Sequence, residues 1–304
     1  MKTHLPVSLR KALIAAIFAV SAFADNKAEA AVSATPQNNV SVTETQDVEV
    51  TAVESGKEVT NFSVETDGKI TVASSQGDML NSYFKAGGDI TIGDTEGAAA
   101  VLTMCGTGST TVETAGNITV NQSVDIHVGS KVSNNGSSSN PVEEVEHIGA
   151  PVKLSAKKTI SFLGNSTTLR GGSSLLSIET EGDIVFDNKT YTNVGQKVEV
   201  KATGDESTIY VNHNRSDSRT DISGHLEAKK DIFIAGAENS ISGLNENRAS
   251  ISAGGQVHVA GNSQDDDLLF GTAISSTDIK AVQGGITIRD NAGHWYSDIK
   301  LHTT

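Results

Sequence analysis

Large apolar residues recur along this chain with a period of two, interrupted at intervals by a small residue and a glycine. The phrases "KAGGDITIGD" (85–94), "ETAGNITVNQ" (113–122) and "ETEGDIVFDN" (179–188) are copies of one pattern. Aligned on the central aliphatic residue, the copies fall at Ile70, Ile90, Ile118, Ile160, Ile184, Ile232 and Val257. Two positions later stands another apolar residue (Val72, Ile92, Val120, Phe162, Phe186, Ile234, Val259). Six positions earlier stands a third (Val64, Phe84, Val112, Leu154, Ile178, Leu226, Ile251). The residue four earlier is always small, from Thr66 to Ala253, and the one two earlier is glycine except at Lys158 and Lys230. An eighth copy, around Ile286 and Ile288, has one extra turn residue.

Such alternation predicts a half-buried strand, a tight bend and a second half-buried strand in each copy. Small side chains fit inside a sharp corner, and glycine is expected there to supply φ > 0. The polar residue before the central aliphatic (Asp89, Asn117, Asp183) is expected to hydrogen-bond neighbouring backbone.

Successive centres lie 20, 28, 42, 24, 48, 25 and 29 residues apart. The 42 reads as two steps of 21 and the 48 as two of 24, with "STIYVN" around Ile209 dividing the latter into 25 and 23. Short strands at this period without amphipathic helices are the mark of a solenoid. The leucine-rich phrase is missing, and propeller blades need about 40–50 residues each. An antiparallel sandwich has strands of similar length but does not require one corner phrase to return. The predicted fold is therefore all-β, a parallel β-helix of roughly 20–29-residue rungs over 61–304, with residues 31–60 as an N-terminal cap. A single rung cannot bury its own apolar face, so stacking supplies the core. Each inward residue such as Ile90, Ile118, Ile184 or Ile232 should contribute about 1.5–3 kcal/mol. Irregular spacing predicts loop insertions near 134–147, 210–221 and 261–270.

Residues 1–30 have a different character. Basic Lys2, Arg10 and Lys11 precede an apolar run from Ala12 to Val20, followed by small-residue exits at Ala22-Phe23-Ala24 and Ala28-Glu29-Ala30. This is the layout of a secretory signal peptide, with cleavage expected after Ala24 or Ala30, and the run is too short to span a bilayer. Cleavage after Ala30 removes four positive and two negative side chains and takes the net charge from −14 to −16. That acidity argues against nucleic acid as a partner. With 29 glycines, 4 prolines and 4% aromatic residues, the chain is rich in turns.

The signal peptide and the repeated "AGGDITI", "AGNITV" and "EGDIVF" phrases resemble the passenger domains of Gram-negative autotransporters and the related filamentous-haemagglutinin exoproteins. The resemblance covers most of the chain after about residue 55 and rests on structural rungs. It implies a right-handed parallel β-helix exported through the periplasm to the cell surface or exterior, often an adhesin. The chain ends at "HWYSDIKLHTT" without the outer-membrane barrel of that plan, so a truncated passenger, a stand-alone secreted relative or a passenger anchored by a separate barrel partner is expected.

Candidate chemistry is sparse. The sole cysteine, Cys105, reads as a small buried hydrophobe. Asp265, Asp266 and Asp267 read as a solvated acidic loop, since three adjacent carboxylates cannot all point one way in a strand. The eight histidines show no metal-ligand spacing, although His213 and His225 flank "NRSDSRTDISG". No catalytic, cofactor-binding or metal-binding residue is assigned, and no cofactor is expected. The expectation is an adhesive surface protein that recognises a protein or glycan on a host or neighbouring cell. A secreted carbohydrate-active enzyme of the lyase or hydrolase kind, with carboxylates gathered across adjacent rungs, is the alternative, as is a structural spacer or non-functional remnant.

Overall fold

The computed structural model describes residues 31–94, 98–129, 149–213, 215, 217–243, 247–261, 272–290 and 294–303, and among these every regular element is a strand. The unit Val32–Thr304 is a stack of coils. In one coil Ser63–Thr66 lies on a first face, Ile70–Val72 on a second and Asp78–Leu80 on a third, and Tyr83–Ala86 then returns to the first. Each strand pairs in parallel with its counterparts one coil away, as in Val64↔Phe84, Ile70↔Ile90 and Met79↔Met104. The second faces make an 11-stranded parallel sheet, from Val32–Ala34 to Ile286–Asp290. The first and third faces belong to one 19-stranded sheet, because Thr272–Ala281 and His294–Thr303 each run across both. They turn the corner at Ser276 (φ 45°) and Asp298 (φ 48°).

The aligned apolar positions become inward ladders. Ile70, Ile90, Ile118, Ile160, Ile184, Ile232 and Val257 have at most negligible exposure, as do their counterparts on the first face from Val64 to Ile251. Phe162 and Phe186 stack at 4.8 Å with planes 3° apart, one coil above the other. The 48-residue interval is two coils, with Ile209 pairing Ile184 and Ile232. The 42-residue interval is not: Ile118 pairs directly with Ile160, so this is one coil carrying an insertion between His127 and Val152. Period alone could not separate two short coils from one long one. Within the expected cap, residues 32–60 carry four strands in the same parallel ladders. The insertion expected at 134–147, residues 262–270 with Asp265, Asp266 and Asp267, and the signal peptide expected over 1–30 lie outside the described residues. Residues 210–221 run from the second-face strand Ile209–Val211 to the third-face strand Arg219–Ile222.

The corner between first and second faces needs glycine for a reason other than φ. Gly68 and Gly116 are not among the positive-φ residues. A Cβ on Gly68 would lie 2.6 Å from the backbone N of Asp47, and one on Gly116 would lie 2.4 Å from Asp89 Oδ1. Stacked corners approach too closely there for a side chain. Three corners add a threonine clip. Thr66, Thr114 and Thr180 donate their hydroxyls to carbonyls of the preceding coil (Gln46, Gly88, Lys158) and accept from the amides of Gly68, Gly116 and Gly182 at 2.9–3.1 Å. The polar residue before the central aliphatic does hydrogen-bond backbone, but one coil away. Asp47, Asp89, Asp183 and Asp231 accept from the amides of Lys69, Asn117, Thr208 and Gln256 at 2.8 Å. Positive φ occurs at the other two turns: from the third face into the first at Asn39, Asn61 and Asn81 (φ 53–58°) and Lys197 (φ 52°), and after second-face strands at Gly93 (φ 84°), Asn212 (φ 50°) and Gly236 (φ 131°); asparagine tolerates this region.

Candidate functional site on the second face

Every second-face strand has an outward residue between its two inward ones. Reading up the stack, that column is Ser33, Glu49, Thr71, Thr91, Thr119 and Ser161, then Val185, Tyr210, Phe233 and His258, and last Thr287. Parallel register holds Val185, Tyr210, Phe233 and His258 in line, because residues at the same position in adjacent strands sit one strand spacing apart, about 4.8 Å. Tyr210 and Phe233 stack with centroids 5.6 Å apart and planes 9° apart. His258 tilts against Phe233 at 6.2 Å. His213, just beyond the strand Ile209–Val211, reaches back to Phe233 at 5.3 Å and Tyr210 at 5.8 Å. Tyr210, Phe233 and His258 are half-buried and His213 is exposed, so an aromatic stripe crosses three coils at the surface.

At the lower end of the stripe, Val185, Phe186, Asp187, Tyr210 and His213 line a cavity of about 180 Å³. Arg215 closes onto its carboxylate, with Nε 2.8 Å from Asp187 Oδ1 and Nη2 3.4 Å from Oδ2. Both side chains are only about a quarter exposed (28% and 25%), which strengthens the pair relative to a fully solvated one. At the upper end, burial lowers the pKa of His258, and the charges of Arg289 and His213 lower it further. His258 is therefore held neutral to lower pH than an ordinary histidine.

A second feature runs along the corner of the first face. The outward column there reads Glu65, Lys85, Glu113, Ser155, Glu179, Lys201 and Glu227. It borders an open groove of about 530 Å³. Lys85 is 2.7 Å from Glu65, and Lys157 is 3.0 Å from Glu181. These pairs are well exposed, so solvent screens them and they add little to stability.

Of the residues singled out from the sequence, Cys105 is buried at the end of the third-face strand Ala98–Cys105. His213 and His225 are not brought together: His225 opens the first-face strand His225–Ala228, and the third-face strand Arg219–Ile222 comes between them. Among the described residues, no group of three or more His, Cys, Asp or Glu side chains is placed to hold a metal ion. The stripe went unread in the sequence because only inward positions were aligned. Its signal was there: in a chain with 4 tyrosines and 8 phenylalanines, the middle position changes from Thr-Thr-Thr-Ser to Val-Tyr-Phe-His in consecutive coils.

Compared with known protein families, curated proteins and solved structures, the chain matches none.

Proposed function

We propose that this is an exported adhesive protein of the autotransporter-passenger style, a right-handed parallel β-helix that binds a surface molecule of a host or neighbouring cell. The observation that carries the reading is the aromatic stripe Tyr210–Phe233–His258 with His213 at its flank, set outward on a stacked scaffold. Aromatic side chains at a surface supply large contact area at low entropic cost, and they are enriched where proteins meet partners. Presenting them from strands rather than loops preorganises the contact. Export rests on the tripartite N-terminus, and right-handedness on the resemblance of the rung phrases.

The test is cell binding by purified protein spanning residues 31–304. Wild type is expected to bind, and Phe233→Ser, which removes the central ring from an outward position, is expected to weaken binding at least about tenfold without loss of fold. Equal binding by the two proteins refutes a role for the stripe, and no binding by wild type refutes adhesion. One observation favours a second reading. Glu65, Glu113 and Glu179 share the outward column of the first face and line the groove, and a carbohydrate-active enzyme uses carboxylates gathered across coils. Release of reducing ends from a polysaccharide, abolished by Glu113→Gln, would establish that reading in place of adhesion.

A further inference from the structure

The stack of rings ends on a notch. Phe233 covers one face of the Tyr210 ring, 5.6 Å away and nearly parallel. The register partner on the other side is Val185, whose side chain is too short to continue the stack. The second face of the Tyr210 ring therefore looks into the cavity of about 180 Å³ that Val185, Phe186, Asp187 and His213 complete. Sites for drug-sized ligands occupy about 300–1,000 Å³, so this one has room for a single small ring.

The polar groups at its rim are specific in kind. Asp187 and Arg215 neutralise one another through Nε–Oδ1 and Nη2–Oδ2 contacts of 2.8 and 3.4 Å. A carboxylate has about four lone-pair sites and a guanidinium five N–H donors, so each keeps capacity beyond the pair. His213 adds a ring nitrogen that donates or accepts. An aromatic face beside a charge-neutral acceptor–donor set suits a ligand with one apolar C–H face and an edge of hydroxyls. A ligand with its own charge would leave one member of the pair opposed.

We propose that this notch binds a neutral pyranose residue of a glycan, stacked on Tyr210 with its hydroxyls toward Asp187, Arg215 and His213. The proposal deepens the adhesive reading and rests on it for the source of the glycan, the surface of another cell.

Saturation-transfer NMR on the purified protein tests it directly. The probes are the methyl glycosides of glucose, galactose, mannose and N-acetylglucosamine, with methyl glucuronide as the charged comparison. At least one neutral glycoside should receive saturation through its ring C–H protons. Tyr210→Phe should retain binding, and Tyr210→Ala should weaken it about tenfold. Val185→Phe, which prolongs the ring stack and fills the notch, should abolish it while the circular dichroism stays unchanged. Transfer to no neutral glycoside, transfer to the glucuronide alone, or undiminished binding by Val185→Phe each overturns the proposal. Cell binding is scored separately. Wild type that takes a neutral glycoside through Tyr210 but binds no cell sustains the notch and refutes adhesion.

Discussion

Gln122 supplies from a side chain the pair of hydrogen bonds that a neighbouring strand would give, and replacing it should unpick one place in the stack. It opens the third-face strand Gln122–His127 and is fully buried. Its Nε2 donates to the carbonyl of Ser75, and the Ser75 amide donates to its Oε1, both at 2.8 Å. Ser75 lies two coils below, since Ile70 pairs Ile90 and Ile90 pairs Ile118. The side chain passes the intervening coil at Gly93, where a Cβ would come within 3.0 Å of Gln122 Cγ. Gln122→Met keeps length and apolar contact but removes both hydrogen bonds. Two buried backbone groups then lose their partners, at about 1–3 kcal/mol each, so the local cost is about 2–6 kcal/mol. Because repeat stability is a sum of neighbour terms, the effect should be concentrated near Ser75 rather than spread over the stack. Native-state hydrogen exchange is the assay. The Ser75 amide should exchange at least about tenfold faster in the variant, each tenfold corresponding to about 1.4 kcal/mol. Unchanged protection of Ser75, with a denaturation midpoint like wild type, would refute the surrogate role.

Other expectations follow from the same geometry. Ile184→Asp buries an unpaired charge in the second-face ladder and should cost about 4 kcal/mol or more, whereas outward Val185→Asp should stay within about 0.5 kcal/mol; equal thermal melts would refute the register. Gly116→Ala should destabilise by about 1–3 kcal/mol because its Cβ meets Asp89 Oδ1 at 2.4 Å, while Lys158→Ala at the equivalent corner already has a Cβ and should be near neutral in chemical denaturation. Tyr191, half-buried and donating to Asp221 Oδ2 at 2.7 Å, has its pKa pushed up to about 12 by burial and by that bond. Its raised value means a stability contribution present below an ordinary tyrosine pKa and lost as pH rises from about 10 through 12. Ultraviolet titration should show a late-ionising component that Tyr191→Phe removes. His258 has the opposite sign of shift: its folded pKa is lowered from 6.5, so its neutral form supports the fold above that value and stability falls as pH drops below it. Histidine proton NMR should place its titration below that of an exposed histidine.

The inward half of the molecule was legible because stacking imposes it. Ile118 must lie over Ile90 and Ile160 on it, so the same residue types return at the same offset and the strands can be read in advance. The corner phrase was legible for that reason too, although its glycines answer to the approach of Asp47 and Asp89 in the coil before rather than to positive φ. That distinction needs the neighbouring coil and cannot be seen in one copy. The turn from third face to first left only a single asparagine in the lower coils, at Asn39, Asn61 and Asn81, with Lys197 in the same conformation higher up, too short and too variable a signal to stand out without known register. The insertion after His127 defeated arithmetic because 42 divides as readily into two coils as into one long one.

The outward half follows different rules, and the proposed function is placed there. No packing constraint makes the residue above Ser161 resemble it, so the column is free to pass from hydroxyls to Val185, Tyr210, Phe233 and His258. Ring-on-ring contacts in that column contribute about 0.5–1.5 kcal/mol per pair, a small share beside the inward ladders. Ile184 and Val185 are adjacent in sequence yet face opposite ways, one answerable to the core and the other to whatever occupies the notch. On the adhesive reading proposed above, recognition would change by substitution at Val185, Tyr210 or Phe233 while the coils beneath keep their register. A stacked scaffold of this kind separates stability from specificity residue by residue, and this is why the repeat reveals the fold so readily while only a break in the outward column points to a site.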